Sequence, residues 1–259
     1  MASTLFETDA PDAHVYLDRL AATDLGRAYK GRMLDELDIH PGQTVLDLGC
    51  GPGIDLGGLA DAVTATGRVI GVDHDQAALD AAAERTAEQR TVVTTQRGDI
   101  HDLPLPDRSA DRARTDRVLQ HVADPARALD EISRVLRPGG RVVMGEPDWG
   151  TLTVDHPNGD LSHAYTRYVT GEAVRNARIG MQLPRLAAGV GLTVPTVIPV
   201  TPVFRDVQAA DKILGLERTT RRALAAGYLT EDAARSWLEH LVSGPFLATV
   251  TFYIVVAEA

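Results

Sequence analysis

The stretch VLDLGCGPG, residues 45–53, decides the fold that we predict for this chain. Three glycines stand at alternate positions, Gly49, Gly51 and Gly53, directly after a short apolar run that is typical of a buried strand. Glycine tolerates positive φ and lets a ligand approach the backbone, at a cost in chain entropy. Glycines at this density therefore indicate a tight turn that a bound molecule uses.

Short β-branched runs alternate with Ala- and Leu-rich helical stretches along the rest of the chain. This alternation predicts an α/β fold with a doubly wound, mostly parallel sheet. The fourth strand is polar and weak as a strand signal, and we place it there because the spacing between its neighbours requires one. Seven strands are expected: 44–48, 68–72, 91–95, 111–116, 141–145, 194–200 and 248–257.

Prolines predict the order of the last strands. Pro195, Pro199 and Pro202 interrupt the sixth strand, and proline cannot donate to a strand ladder, so this strand is expected at an edge. The closing stretch TVTFYIVVA has neither proline nor glycine and is expected between two neighbours. The simplest arrangement therefore inserts the final strand inside an earlier one.

Three segments with extra helical material lie outside the alternation. Such material at the end of a sheet commonly covers a ligand site, so we expect lids or caps there. The expected organisation has four parts: an N-terminal helical lid at 1–38 with a helix ending near Leu37, a cofactor-binding core at 39–146, a cap insertion and helix at 147–190, and the last two strands at 191–259 with a helical insertion at 205–243.

Composition excludes several classes of protein. The 26 basic and 36 acidic residues give a formal net charge of −10, which disfavours a nucleic-acid partner. The single cysteine, Cys50, allows no internal disulfide and no thiolate metal cluster, and no metal site is expected. No signal-peptide pattern or membrane-length apolar run stands out. The expectation is a soluble cytoplasmic protein without a membrane partner, either a monomer or a homodimer.

The identity of the ligand depends on the residues around the glycines. A dinucleotide fingerprint needs a third glycine where this chain has Ile54, which disfavours NAD. Asp73, at the end of the second strand, suits the ribose of NAD as well as that of other nucleosides, so it does not discriminate. The stretch Asp47-Leu48-Gly49-Cys50-Gly51-Pro52-Gly53 resembles the first motif of the class I S-adenosylmethionine-dependent methyltransferases.

Further stretches resemble the same family in the same order. They are VIGVDHD around Asp73, RGDIHDLPLPDRSAD around Asp99, and LQHVADPARALDEISRVLRPGGRVVM. The last resembles the helix and Pro-Gly-Gly turn of the ubiquinone/menaquinone-type small-molecule methyltransferases, the type 11 group. The resemblance covers residues 40–146 well and residues 180–259 only by pattern. It implies a Rossmann-like methyltransferase fold with helical cap insertions.

The resemblance also implies S-adenosylmethionine as cofactor and S-adenosylhomocysteine as product. Asp47 is then expected near the methionine ammonium, and Asp73 at both ribose hydroxyls. Asp99 is expected to take the adenine amino group, with Ile100 packed on the ring. The remaining expected cofactor contacts come from the loop, the strand ends and the N-terminal segment: Gly49, Cys50, Gly51, Gly53, His74, Thr115, Tyr16 and Lys30.

Methyl transfer from a sulfonium is an in-line displacement that depends mainly on alignment of the reacting atoms. His121 is a candidate general base because the pKa of imidazole lies near neutrality, although a structural or cofactor-lining function is equally compatible. Asp148 is a second catalytic candidate, and Trp149 and Tyr165 are candidate substrate contacts.

The predicted activity is methylation of an oxygen or nitrogen atom of a small molecule, in natural-product tailoring. C-methylation of a quinone-type or similar small molecule is the alternative within the family. An NAD(P)-dependent oxidoreductase and a non-catalytic cofactor-binding subunit are alternatives of other classes.

Overall fold

A computed structural model describes residues 13–89 and 92–259, and these residues form eight strands and ten α-helices. The strands are β1 (Thr44–Leu48), β2 (Arg68–Asp73), β3 (Val93–Arg97), β4 (Ala110–Asp116), β5 (Leu136–Val154), β6 (Thr193–Val200), β7 (Val203–Phe204) and β8 (Ala248–Glu258). The helices are α1 (Ala13–Ala21), α2 (Asp24–Leu37), α3 (Leu56–Val63), α4 (Gln76–Arg85), α5 (Pro125–Val135), α6 (Gly159–Tyr168), α7 (Ile179–Gly189), α8 (Val207–Leu214), α9 (Leu216–Ala225) and α10 (Glu231–Ser243).

The sheet has the order β3-β2-β1-β4-β5-β8-β6, and β7 pairs with β8 outside this path. The first five strands run parallel, and β8 runs antiparallel between β5 and β6. The predicted doubly wound α/β fold is therefore confirmed, including the edge position of the proline-rich strand. The two-residue β7 makes eight strands where seven were predicted.

Two strands, β3 and β5, differ from their predicted bounds by more than one residue. β5 continues to Val154 because the long β8 supplies backbone partners beyond the predicted end, with Pro147 opposite Phe252 and Val154 opposite Ala248. β3 begins at Val93, whereas the predicted strand began at Thr91, which lies outside the described residues. The Pro, Asp and Gly residues in β5 are typical of a loop. This segment forms a strand because it pairs with β8.

The polar strand β4 occupies the centre of the sheet, between β1 and β5. Its arginines are buried because each finds partners there. Arg112 donates from Nε to the carbonyl oxygen of Leu37 at 2.7 Å, which also satisfies the last turn of α2. Arg114 is paired with acidic side chains described below. Tertiary partners therefore override the weak strand propensity of ADRARTD.

Two layers of helices cover the sheet, and a third core lies beyond its end. The helices α2, α3 and α4 pack on one face, and α5 and α7 pack on the other. The third core joins α6, α8, α9 and α10 to the outer ends of β5 and β8, and we call these elements the cap. Segment 147–190 is thus divided, because α6 belongs to the cap while α7 covers the sheet.

The N-terminal segment contains two helices, of which α2 ends at Leu37. Thr23 caps α2 by accepting a hydrogen bond from the backbone N–H of Gly26 at 2.9 Å. Residues 1–12 of the predicted lid lie outside the described part of the chain. In the described part, none of the helices combines the length and the apolar character that crossing a bilayer requires.

Candidate cofactor site and adjoining cleft

The glycine loop joins β1 to α3 at the carboxyl end of the sheet. Gly49, Gly51 and Gly53 have φ of 74°, 51° and 75°, a region that residues with a side chain rarely adopt. A Cβ on Gly49 would lie 2.4 Å from a methyl of Val118, and a Cβ on Gly53 would lie 2.8 Å from Cβ of Ala82. The loop therefore requires glycine for conformation and for close packing.

Asp73 ends β2 beside this loop and is 9% exposed. Its Oδ2 accepts from the backbone N–H of Gly51 at 2.9 Å, and its Oδ1 accepts from the N–H of Asp75 at 3.0 Å. Each carboxylate oxygen can accept a second hydrogen bond, so the two ribose hydroxyls of a nucleoside fit this group. His74 Nδ1 lies 3.1 Å from Asp73 Oδ1, while its side chain is largely exposed.

Asp99 and Ile100 follow β3 at the same edge of the sheet. Asp99 is exposed, and its Oδ1 accepts from the backbone N–H of His101 at 2.9 Å. This hydrogen bond, followed by that of the His101 ring, lowers the pKa of Asp99 below its usual value. Ile100 is half-buried and packs on the core beside β1 and β2. A carboxylate next to an apolar shelf suits an adenine ring.

A buried charged cluster lies below the glycine loop and consists of Lys30, Asp47, Asp55, Arg114 and Asp116. Lys30 Nζ lies 2.7 Å from Asp55 and 2.6 Å from Asp116. Arg114 lies 2.8 Å from Asp55, 3.0 Å from Asp116 and 3.7 Å from Asp47. Three carboxylates thus face two cations.

Asp47 is the carboxylate of this cluster with the weakest partner. Burial raises its pKa to about 6, and the charge of Arg114 offsets only part of that effect. An added ammonium would supply the missing positive charge. The cluster therefore fits the methionine end of S-adenosylmethionine.

The opposite face of β4 and β5 carries a second polar group. Thr115 points away from the charged cluster, and its buried Oγ1 has no hydrogen-bond partner among the described residues. Glu146 is fully buried, and its Oε1 accepts from the backbone N–H groups of Val118 at 2.7 Å and Leu119 at 2.6 Å. Glu146 thereby fixes the turn that follows β4.

Burial raises the pKa of Glu146 from 4.5 to about 8, and the two backbone donors counteract only part of the shift. The folded protein thus holds this proton more tightly than the unfolded chain does. The free energy of unfolding should therefore fall as pH rises from about 4.5 to about 8.

Glu146→Gln retains an acceptor for both N–H groups and mimics the protonated carboxyl. We expect its stability to match the wild type in acid and to exceed it by at least about 1 kcal/mol above the folded-state pKa. Urea denaturation at several pH values measures this. Glu84→Gln, at an exposed site on α4, is the control and should follow the wild-type pH curve. Parallel curves for Glu146→Gln and wild type would contradict the assigned protonation.

Helix α1 lies across the glycine loop. The Cδ1 of Leu17 is 3.5 Å from the position that a Cβ on Gly51 would take. Asp18 pairs with Arg85 at 2.9 Å, and Arg85 also donates to the carbonyl oxygen of Pro52 at 3.0 Å. Helix α1 of the N-terminal segment thus covers one side of the glycine loop.

A narrow apolar cleft opens beside the loop, between α1, α2, the outer ends of β5 and β8, and α8. Arg117, directly after β4, is the one charged side chain among the described residues that line it. The apolar lining includes Leu20, Tyr29, Trp149, Pro202, Phe204 and Phe252. Trp149 donates from Nε1 to Gln120 Oε1 at 3.0 Å, which fixes the indole in the wall.

The residues predicted for catalysis and substrate binding are not all near the cleft. Trp149 lines it, whereas the consecutive Asp148 points to the other face of β5, is fully buried and accepts from Gly150 N–H at 2.8 Å. His121 is exposed in the turn after β4 and does not line the cleft. Tyr165 is fully buried inside the cap, stacked on Trp237 with ring centroids 5.2 Å apart.

Among the predicted cofactor contacts, Tyr16 and Lys30 have other partners in the structure. Lys30 belongs to the charged cluster, and the Tyr16 hydroxyl accepts from Arg117 at 3.3 Å. Cys50 is buried in the loop, and burial raises the pKa of its thiol far above its usual value. A thiol held protonated in this way is a poor nucleophile.

Sequence reasoning missed two arginines, Arg114 and Arg117. The sequence contains a signal for them. Charged residues inside and directly after a central strand cost folding free energy when buried, so they are expected where they serve a site. Thr115 is the cofactor contact predicted from the stretch RARTDR, and no role is predicted for either arginine.

Comparisons with known proteins agree with this geometry. A family model described as a methyltransferase domain matches residues 46–144. A protein of Streptomyces fradiae, "Uncharacterized 37.1 kDa protein in transposon TN4556", is 59% identical over the whole chain, which covers 75% of that protein.

A demethylmenaquinone methyltransferase of Staphylococcus aureus is 33% identical over 53% of this chain, and the match spans only 57% of that protein. Among solved structures, a putative methyltransferase of Bacillus halodurans superposes with a TM-score of 0.65 at 14% identity, over 89% of this chain and 98% of the other.

Proposed function

Because the chain belongs to the class I small-molecule methyltransferases that use S-adenosylmethionine, we propose that it methylates an oxygen or nitrogen atom of a small secondary metabolite. One observation carries the proposal: the cofactor loop and the apolar cleft share a wall. Gly49 of the loop packs on Val118. Arg117, which directly precedes Val118 in sequence, lines the cleft. A molecule in the cleft is therefore adjacent to a molecule on the loop.

Each part of the loop region has a proposed role in holding the cofactor. Asp73 accepts both ribose hydroxyls, and Asp99 with Ile100 receives the adenine. The charged cluster, through Asp47, receives the methionine ammonium. The glycine backbone supplies the close approach. His74, Cys50, Tyr16 and Lys30 complete the proposed surroundings, whereas the buried Thr115 lies on the opposite face of β4.

When bound, S-adenosylmethionine supplies a methyl group already activated by the positive charge on sulfur. The chain contributes alignment, because displacement requires the acceptor atom about 3–3.5 Å from the methyl carbon and in line with the bond that breaks. The turn after β4 and the wall from Trp149 to Phe252 would position the acceptor. α1 and the cap would exclude water from it.

The apolar lining supports an acceptor with substantial hydrocarbon surface. Burial of apolar area contributes about 25 cal/mol per Å², so a cleft of this kind selects hydrophobic molecules over sugars or amino acids. The cap, α1 and α2 form the proposed substrate-binding part of the chain, and residues 39–146 form the cofactor-binding part.

We expect the purified protein to bind S-adenosylmethionine and S-adenosylhomocysteine in isothermal titration calorimetry. NADH, titrated by its fluorescence, should not bind, which separates the proposal from an oxidoreductase. Cofactor with a labelled methyl group should then methylate some members of a panel of phenols, carboxylic acids and amines. Absence of S-adenosylmethionine binding to folded protein would refute the proposal, and binding without transfer to any panel member would favour a non-catalytic subunit.

A further inference from the structure

Arg117 is the charged side chain in the described lining of the apolar cleft. It is half-buried, and its guanidinium lies over the ring of Phe252, 5.9 Å from the centroid. Its one side-chain hydrogen bond among the described residues is the donation to the Tyr16 hydroxyl at 3.3 Å. A guanidinium carries five N–H donors, so most of its donors have no partner within residues 13–89 and 92–259.

The backbone holds Arg117 in a conformation that arginine rarely adopts. Its φ is 61°, in the left-handed region, and its N–H donates to the carbonyl oxygen of Gly145 at 2.8 Å. Glycine or asparagine would adopt this conformation at lower cost. A strained residue in a ligand cleft indicates that its side chain serves a function.

The neighbouring acids do not neutralise this charge. The titratable groups that face Arg117 are Tyr16 on α1, Tyr29 on α2, Asp116 on β4, Glu146 on β5 and His121 in the turn after β4. Partial burial, followed by the charge of Arg117, lowers the pKa of His121, so this imidazole does not neutralise the guanidinium. Asp116 is already paired with Lys30 and Arg114. Glu146 favours its protonated form up to about pH 8. In the described chain no carboxylate lies within ion-pair distance of the Arg117 guanidinium.

The described lining of the cleft also lacks a carboxylate or an imidazole that could act as a base. Methylation of a neutral hydroxyl requires removal of its proton near the transition state. An oxygen nucleophile served by these described residues alone must therefore reach the cleft already ionised, or be stabilised there as an anion.

We propose that Arg117 binds the oxygen anion of a phenol or enol, and that this oxygen receives the methyl group. The inference rests on the proposed function and names its acceptor class, a hydrophobic molecule with an acidic hydroxyl. The proton of the hydroxyl leaves to solvent as the acceptor binds. The phenolate oxygen then forms the new C–O bond, the C–S bond breaks, and its electron pair stays on sulfur as the neutral thioether. Arg117 keeps its proton throughout.

The test uses 4-nitrophenol, whose anion absorbs visible light, added to the complex of the protein with S-adenosylhomocysteine. We expect the bound phenol to ionise about one pH unit or more below the free phenol, because a nearby cation favours the anion. Arg117→Met should abolish this shift, and Arg117→Lys should retain part of it. 4-Nitroanisole, which has no acidic proton, should bind wild type and Arg117→Met equally.

Arg68→Met, at an exposed site that starts β2, is the matched control and should behave as wild type. The affinity for S-adenosylhomocysteine reports whether each variant is folded. The same ionisation shift in Arg117→Met as in wild type would overturn the inference. So would a wild type that binds the phenolate no more tightly than the anisole. A wild type that fails to bind S-adenosylhomocysteine would instead refute the proposed function.

Discussion

Replacement of Arg114 by Met should lower the free energy of unfolding by about 3–5 kcal/mol near neutral pH. The side chain of Arg114 is 4% exposed and faces Asp47, Asp55 and Asp116. Its removal leaves two buried carboxylates, Asp47 and Asp116, and the half-buried Asp55 with Lys30 as the remaining cation of the cluster. A buried charge without a partner costs far more than an exposed one.

Urea denaturation measures this loss, and its pH dependence identifies the cause. Acidification protonates the unpaired carboxylates, so the difference between variant and wild type should shrink as pH falls. Arg32→Met is the control, because Arg32 pairs on the exposed face of α2 with Glu36 at 2.7 Å and its loss should cost less than about 1 kcal/mol. A loss that stays constant with pH would show that packing, and not charge, is responsible.

Replacement of Asp73 by Ala should weaken binding of S-adenosylmethionine by at least about tenfold. Hydrogen bonds to a charged group contribute about 1.5–3 kcal/mol each, and the proposed ribose site loses two of them. Asp73 also anchors Gly51 and the start of α4, so the loop itself would loosen. Isothermal titration calorimetry measures the affinity directly.

Two further variants separate ribose binding from loop anchoring. Asp73→Asn keeps one acceptor oxygen and should fall between wild type and Asp73→Ala. Asp80→Ala, at an exposed site on α4, should leave the affinity unchanged. Thermal unfolding of each variant shows whether the sheet remains intact. An unchanged affinity in Asp73→Ala would place the ribose elsewhere.

The parts of the fold that local sequence determines were predictable. The glycine loop, the acidic ends of β2 and β3, and the edge position of β6 follow from turn chemistry and from proline. The length of β5 was not predictable from local sequence, because its outer half is a strand only through pairing with β8, about 100 residues away in sequence.

The cofactor side of the site was more predictable than the cleft. Asp47, Asp73 and Asp99 lie in recognisable motifs at strand ends. Whether Asp148 or Trp149 points into the cleft depends on which face of β5 each occupies. A shift of one residue in the register of a strand exchanges the two faces. Arg117 joins Tyr29 and Phe252 in the cleft across more than 200 residues of sequence, a proximity that no local pattern contains.

The position of β8 has a consequence for the order of folding. In the described sheet, β6 and β7 pair with β8 and with no other strand. During synthesis from the N-terminus, the segment from residue 193 onward has no strand to pair with until residues 248–258 leave the ribosome. The sheet from β1 to the first half of β5 can assemble earlier, because the pairs of these strands with one another do not involve residues 248–258. We therefore expect two folding phases, a fast one for the nucleoside-binding half and a slower one, limited by long-range closure, for the half that surrounds the acceptor.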